Sequence, residues 1–326
     1  MLYTGAEVRE DMVKGTIGIA ISGKTAPEIV AQIKHAEALG VPAVWMTSGG
    51  LAGDSLAILT AAAAQTQKVL LGTSIVPIWS RHPVTLAQQA QVAANLAPGR
   101  FRLGAGPSHK QGMERALGAD FREPLGHLRE YIAVLQALLH TGEVDFDGKH
   151  YKAHTRLASP VDVPVLASAL RPKSFDLCGA LGAGAITWVC PLDYVFKAAL
   201  PALQAGAKRA GHAAPPLAVH IPVCVSTDAA AVRDGVRERL GYFPKTVFYE
   251  LMFAEAGFPN SSHTGWTDAL VNAVAIYGDE VQVVDKLRRV IARGADEIIA
   301  TVITTGPDHQ ASAEATMRAI AKASQR

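Results

Sequence analysis

Arg100-Phe101-Arg102-Leu103-Gly104-Ala105-Gly106-Pro107-Ser108-His109 is the stretch on which the fold class turns. A short β-type run passes into a Gly-X-Gly turn and ends on a histidine. Glycines at a strand end let backbone N–H groups approach a phosphate or a flat ring closely. The dinucleotide fingerprint of an open, doubly wound sheet needs a third glycine three residues after the second, with an acid further on. His109 stands where that glycine belongs, and no strand-borne acid follows at a suitable distance. The turn therefore favours a closed barrel over its competitor, the doubly wound sheet, and the histidine projects a titratable group into the space beside it.

Working outward, one local pattern recurs three times. Ala38-Leu39-Gly40-Val41-Pro42-Ala43-Val44-Trp45, Ala180-Leu181-Gly182-Ala183-Gly184-Ala185-Ile186-Thr187 and Ala292-Arg293-Gly294-Ala295-Asp296-Glu297-Ile298-Ile299 each read as a helix end, a Gly cap and a strand. Strands buried on both faces appear as unbroken apolar runs, as at Thr16–Ile21, Val69–Val76, Val163–Leu166 and Leu217–Val225. Strands are expected near 16–21, 42–47, 69–76, 100–105, 163–168, 184–188, 217–225 and 296–303. Eight parallel strands with helices between them predict an α/β fold, a closed (β/α)8 TIM barrel, with residues 1–326 as one domain.

Helix signals fall between the strands. Thr25-Ala26-Pro27-Glu28 offers a start with an early proline and an acid in the first turn, and Ile29, Ile33 and Ala36 follow at helical spacing. Asp54 is placed to cap the next helix. Leu125, Leu128, Ile132, Leu135 and Leu139 form the clearest apolar stripe, and Val281, Val284, Leu287 and Ile291 form another. Insertions are expected after strand four (about 106–162) and strand seven (about 228–278). The first holds a hairpin around Asp147-Gly148. The second is rich in aromatic residues (Tyr242, Phe243, Phe248, Tyr249, Phe253, Phe258, Trp266), which suit an apolar lid or an oligomer contact, making a homodimer plausible. Both insertions begin at the strand ends where barrels of this kind carry their active sites.

Bulk properties narrow the function classes. Apolar residues make up 49% of the 326 and charged residues 18%, below the roughly 25% of an average globular chain. A large core is within reach. The net charge of +2 comes with no basic run, which gives nucleic-acid binding no electrostatic support. Three cysteines (Cys178, Cys190, Cys224) without a CxxC pair argue against a disulfide framework or a zinc site and fit a cytoplasmic setting. Met1 to Lys14 lacks the apolar segment of a signal peptide, and no run of about 18 apolar residues predicts a membrane span.

Several blocks, taken in order, resemble a known family. Leu71-Gly72-Thr73-Ser74-Ile75, Arg81-His82-Pro83, Gln88-Gln89 and Leu96-Ala97-Pro98-Gly99-Arg100-Phe101-Arg102-Leu103-Gly104-Ala105-Gly106 are followed by Pro124 to Leu139. Phe146-Asp147-Gly148-Lys149-His150-Tyr151 and Val165-Leu166-Ala167-Ser168-Ala169-Leu170-Arg171-Pro172 complete the set. Together they resemble the bacterial-luciferase-like superfamily, with a closer likeness to the branch that uses the deazaflavin coenzyme F420. The likeness covers about residues 16–225 well and the remainder loosely.

The resemblance implies an isoalloxazine-like ring bound at the strand C-termini and a non-prolyl cis peptide after strand three, for which Ser74-Ile75 is the matching pair. It assigns Gly104, Ala105, Gly106 and Ser108, with Ser168, Ala169, Arg171 and Pro172, to the cofactor phosphate and side chain. The same turns read without it are tight βα corners. Lys110, Arg115, Arg171 and Lys173 are candidates for an acidic cofactor tail. His109 stands where some deazaflavin relatives place an acidic proton donor; read alone, it serves equally to hydrogen-bond its loop. Trp79, Trp188 and Ser48 are expected at the substrate pocket, and His82 reads as structural. The Asp-His pair that many relatives carry after strand two is absent, replaced by Thr47-Ser48-Gly49-Gly50. The expected activity is hydride transfer between coenzyme F420 and a small organic substrate. Two rivals stay open: an FMN-dependent monooxygenase fed by a partner reductase, and a flavin-binding barrel without chemistry.

Overall fold

The computed structural model describes residues 14–48 and 53–325. Eight strands form its centre: β1 (Thr16–Ile21), β2 (Ala43–Met46), β3 (Leu70–Thr73), β4 (Phe101–Gly106), β5 (Val165–Ser168), β6 (Gly184–Ile186), β7 (Leu217–Val225) and β8 (Glu297–Val302). Every neighbouring pair is parallel, with Trp45 opposite Gly72, Gly72 opposite Arg102 and Gly104 opposite Leu166. β8 pairs with both β1 and β7, and β7 pairs with β6, so the sheet closes on itself. The fold is a (β/α)8 TIM barrel.

The local signals act as their chemistry requires. Thr25 caps the Ala26–Ala38 helix by accepting from Glu28 N at 3.4 Å, and Asp54 caps Ser55–Ala63 by accepting from Ala57 N at 3.0 Å. His82 caps the Pro83–Leu96 helix, its Nδ1 accepting from Val84 N at 3.3 Å. In the Pro124–Gln136 helix and the π-turn that extends it, Leu128, Ile132, Leu135 and Leu139 are fully buried, each contributing about 1.5–3 kcal/mol of apolar burial. The second stripe is met in part. In the Glu280–Ala292 helix Val284 and Leu287 are buried as expected and Ile291 packs against the core, while Val281 is 65% exposed and Val283 and Val290 complete the buried face.

The expected strand over 69–76 is two pieces. β3 stops at Thr73, the Ser74-Ile75 peptide bond is cis, and Val76–Pro77 then pairs with the end of β4. Between β4 and β5 lie the Lys110–Leu117 and Pro124–Gln136 helices and an antiparallel hairpin, Glu143–Asp147 with Lys152–Arg156. Between β7 and β8 lie several helices, among them Ala229–Leu240 and Val247–Glu255.

The N-terminal end of the barrel is plugged by charge. Arg102 of β4 pairs with Glu297 of β8, and both are buried. Trp45 Nε1 donates to Glu297 Oε1 at 2.9 Å, and the Arg102 guanidinium lies 4.4 Å from the centroid of the Trp45 ring. Gly72 makes room for that indole, since a Cβ there would fall 2.4 Å from the ring.

Candidate active site

At the opposite end, the C-terminal strand ends open into a cavity of about 1200 Å³. That exceeds the usual range of roughly 300–1,000 Å³ for a small-molecule pocket and leaves room for two ligands side by side. One wall is the cis bulge. Thr47 Oγ1 donates to Ser74 O at 2.6 Å, Ser74 N donates to Met46 O at 2.8 Å, and Ser48 N donates to Ile75 O at 3.2 Å. Strand two therefore fixes both peptide units of the bulge. The Ser74 hydroxyl is buried without a partner. A buried hydroxyl without a partner beside a cavity leaves a hydrogen bond that a bound molecule can complete.

The second wall follows β4. Ser108 sits at φ 57°, in the left-handed region, and His109 follows at the start of the Lys110–Leu117 helix. The His109 ring lies among Phe243, Tyr249 and Tyr242 at centroid distances of 5.4, 5.6 and 5.9 Å. Burial in this aromatic surround lowers its pKa, so the imidazole is uncharged at neutral pH.

The third wall follows β5. Pro172 opens the Pro172–Leu181 helix. Ala169 N donates to Ile186 O, and the amides of Leu170 and Arg171 donate to Ser174 Oγ at 3.0 and 3.1 Å. The Arg171 guanidinium is paired with Glu255, through Nε at 2.9 Å. On the floor, His220 of β7 is 5% exposed, its Nε2 is 2.8 Å from Thr301 Oγ1 of β8, and the Trp188 ring sits 4.0 Å from its own. Full burial pushes the His220 pKa down to about 3. Tyr242, Phe243, Phe248 and Tyr249 roof the space. The charged residues of the lining are Lys110, Arg171, Lys173, Arg239 and Glu255, so the mouth is electropositive.

With this geometry established, the whole-chain comparison decides the family: the model of the luciferase-like monooxygenase family matches residues 4–297. The chain belongs to the luciferase-like monooxygenase family. An F420-dependent glucose-6-phosphate dehydrogenase of Beutenbergia cavernae is 37% identical over 195 residues, covering 56% of this chain and 57% of that relative. The alignment thus spans little more than half the relative's length. Among solved structures, an F420-dependent secondary alcohol dehydrogenase in complex with an F420–acetone adduct aligns with a TM-score of 0.79 at 18% identity, over 96% of this chain and all of that one. The oxygenating constituent of the 3,6-diketocamphane monooxygenase of Pseudomonas putida, in complex with FMN, aligns at 0.71 and 17% over 94% and 96%. Both share the fold.

Within this luciferase-like barrel, Ser74, Ile75, Ser108, His109, Ser168, Ala169, Arg171 and Pro172 meet at one cavity, with Trp188 and Ser48. The Ser48 hydroxyl is bonded to that of Ser55. Gly104, Ala105 and Gly106 stand elsewhere: they are buried inside β4, which runs one residue further than expected. Gly104 N and O are both bonded to Thr73 Oγ1 at 2.8 Å, and Gly106 gives way to Ser168 Oγ, which a Cβ there would meet at 2.0 Å. Trp79 is not in the cavity wall. Its Nε1 donates to Pro107 O at 2.7 Å and its ring packs on Phe121 and His127, which places it behind the His109 turn. Arg115 is outside the lining and Lys110 and Lys173 are in it. Gly49 and Gly50 lie outside the described residues. The three cysteines are free and buried, no metal-binding cluster occurs among the described residues, and none of their helices is long and apolar enough to cross a membrane. His220, Thr301, Thr47 and Glu255 are site residues that the sequence reading passed over. The aromatic density of 242–249 was the one signal that pointed their way.

Proposed function

We propose that this protein is a coenzyme F420-dependent oxidoreductase that passes a hydride between the deazaflavin and a small organic substrate. The observation that carries this reading is the Ser74-Ile75 bulge, with its unpartnered buried hydroxyl, facing an electropositive cavity large enough for two ligands. The chain fits the group. Ser74 and Ile75 offer a backing for a flat ring, Ser108 and Ser168 offer hydroxyls beside it, and Lys110, Lys173 and Arg239 suit an acidic tail. The 37% identity to an F420-dependent relative supports the same choice.

When bound, the deazaflavin supplies the carbon that gives or takes a hydride. The protein supplies position, dryness and a proton path. Thr47 and Ser48 hold the bulge rigid, so anything resting on it is oriented before reaction. Phe243, Tyr249 and Trp188 exclude water from the reacting space. The uncharged His109 accepts a proton from a substrate hydroxyl, and its protonated form returns one to a carbonyl oxygen.

The test is a side-by-side fluorescence titration with F420 and FMN. Tight F420 binding with weak FMN binding is the expected result. Preference for FMN would move the reading to a flavin monooxygenase, and binding of neither would leave only the barrel.

A further inference from the structure

We propose that Arg171 and Glu255 are a positioning pair: they pin the C-terminal end of the roof helix Val247–Glu255 to the wall that follows β5, and so hold Tyr249 over His109. Arg171 is thereby spent on the protein itself rather than on an acidic cofactor tail, a conclusion that rests on the deazaflavin reading; the pinning of the roof stands without it.

Both residues stand at the wrong ends of their helices. Arg171 is the N-cap of the Pro172–Leu181 helix, whose amino end carries partial positive charge. Glu255 is the last residue of the roof helix, whose carboxyl end carries partial negative charge. Each charge alone is disfavoured by its own helix, so the two make sense as a pair. Arg171 Nε and Nη2 both donate to Glu255 Oε1, the first at 2.9 Å. The other carboxylate oxygen is engaged as well. Tyr194 Oη, in the short helix after β6, lies 3.3 Å from Glu255 Oε2 and 3.2 Å from Leu170 O, so one hydroxyl bridges the roof and the β5 turn. That turn is rigid in its own right. Ser174 Oγ accepts from the amides of Leu170 and Arg171 and donates to Arg171 O at 2.7 Å.

The pinned helix carries the aromatic surround of His109. Tyr249 stands less than two turns before Glu255 on the same helix. It is buried, and its ring centroid is 5.6 Å from that of His109. Phe248 meets Phe121 of the first insertion at 6.1 Å, and Phe253 meets Trp266 at 5.5 Å. These contacts are apolar and non-directional; the bonds at Glu255 fix where the helix ends against the β5 wall. The pair is also reversible. Its side chains are 40% and 33% exposed, so salt screens it and its strength is modest, which suits a roof that must rise to exchange ligands. Among the cations of the lining it is Arg171 that Glu255 neutralises, which leaves Lys110, Lys173 and Arg239 to meet an acidic tail.

The test is a charge exchange on the full chain. Arg171→Ala, Glu255→Ala, the double alanine variant, and Arg171→Glu combined with Glu255→Arg are compared with the parent, after circular dichroism and melting curves establish the native fold. Two rates are read. One is acylation of His109 by diethyl pyrocarbonate, followed by mass spectrometry against His154 on the exposed hairpin as internal reference. The other is F420 dissociation, followed by stopped-flow fluorescence. Each single alanine variant is expected to raise both rates by roughly three- to fivefold, the scale of one partly exposed ion pair. The double alanine variant should be no faster than either single one. The exchanged pair should restore most of the loss, since its charges suit both helix ends. Glu255→Gln, which keeps the size and one acceptor, should fall between Glu255→Ala and the parent. Opposite effects on F420, with Arg171→Ala loosening it and Glu255→Ala tightening it, would make Arg171 a ligand of the tail and overturn the proposal. Unchanged acylation of His109 in both single variants would overturn it as well. Acylation that follows the expected pattern in a protein that binds no F420 would sink the cofactor reading and leave the positioning pair standing.

Discussion

The two ends of the barrel each bury a polar couple inside the ring of strands, and they are built on opposite terms. At the N-terminal end Arg102 and Glu297 form an ion pair, are 3% and 0% exposed, and are sealed by Trp45; burial pushes the Glu297 carboxyl above the usual carboxylate range, and the Arg102 guanidinium works against that rise. The nearby cavity of about 420 Å³ is lined by Pro98, Gly99, Phe101, Pro164 and Pro216 among others, residues of tight turns and packing. At the C-terminal end His220 and Thr301 are neutral and face a cavity nearly three times larger. Desolvating a charge is tolerable only when its partner never leaves. A neutral imidazole can be uncovered and covered again as ligands exchange, at far smaller cost. Permanence at one end and exchange at the other divide stability from function along the barrel axis.

The sharpest way to break that division is to cross the variants. His109→Ala, at the functional end, should lower turnover by roughly 10²–10⁴-fold with F420 affinity and melting temperature nearly intact. Steady-state kinetics beside a fluorescence titration reads both quantities. Unchanged turnover would remove His109 from the chemistry.

Glu297→Ala should do the reverse. It strands the Arg102 guanidinium, whose Nε and Nη2 already lack partners, in a buried site. The expected loss is about 3–5 kcal/mol of folding stability. Urea denaturation measures it, and turnover per folded molecule should stay near that of the parent. A loss below about 1 kcal/mol would mean that water reaches the plug and that the two ends are less different than their burial indicates.

What the sequence made legible follows from the same axis. Four strands announce themselves as apolar runs (16–21, 69–76, 163–166 and 217–225), three as helix–glycine–strand corners and one as the Gly-X-Gly stretch, and all eight lie within a few residues of where they are expected. The cis bulge is legible only through the family likeness, since Thr73-Ser74-Ile75-Val76 carries no glycine or proline to mark an interruption of the strand. The polar couples were hidden for a physical reason. Arg102 and His220 sit inside strands, and a period of two cannot tell an inward charge from an outward one without the register. Glu297 and Thr301 find their partners 195 and 81 residues away, distances over which local pattern says nothing. Trp79 misled for a related reason: an aromatic side chain at a strand end can face the cavity or the back of the adjacent turn, and here the Pro107 carbonyl draws its N–H away from the cavity.

The smallest effect is also the most specific to the functional end. The His220 pKa is about 3 in the folded chain and near 6.5 when unfolded. Between those values the unfolded chain binds one proton that the native chain does not, so the stability supplied by neutral His220 is complete above pH 6.5 and is lost as pH falls. The slope contributed is at most about 1.4 kcal/mol per pH unit. Relative to the parent, His220→Gln should therefore show a shallower loss of stability between about pH 6 and 4, read from urea midpoints at a series of pH values. The same series on Trp188→Phe should follow the parent. Parallel slopes for His220→Gln and the parent would mean that His220 takes up its proton without unfolding, through a cavity wetter than its aromatic walls imply.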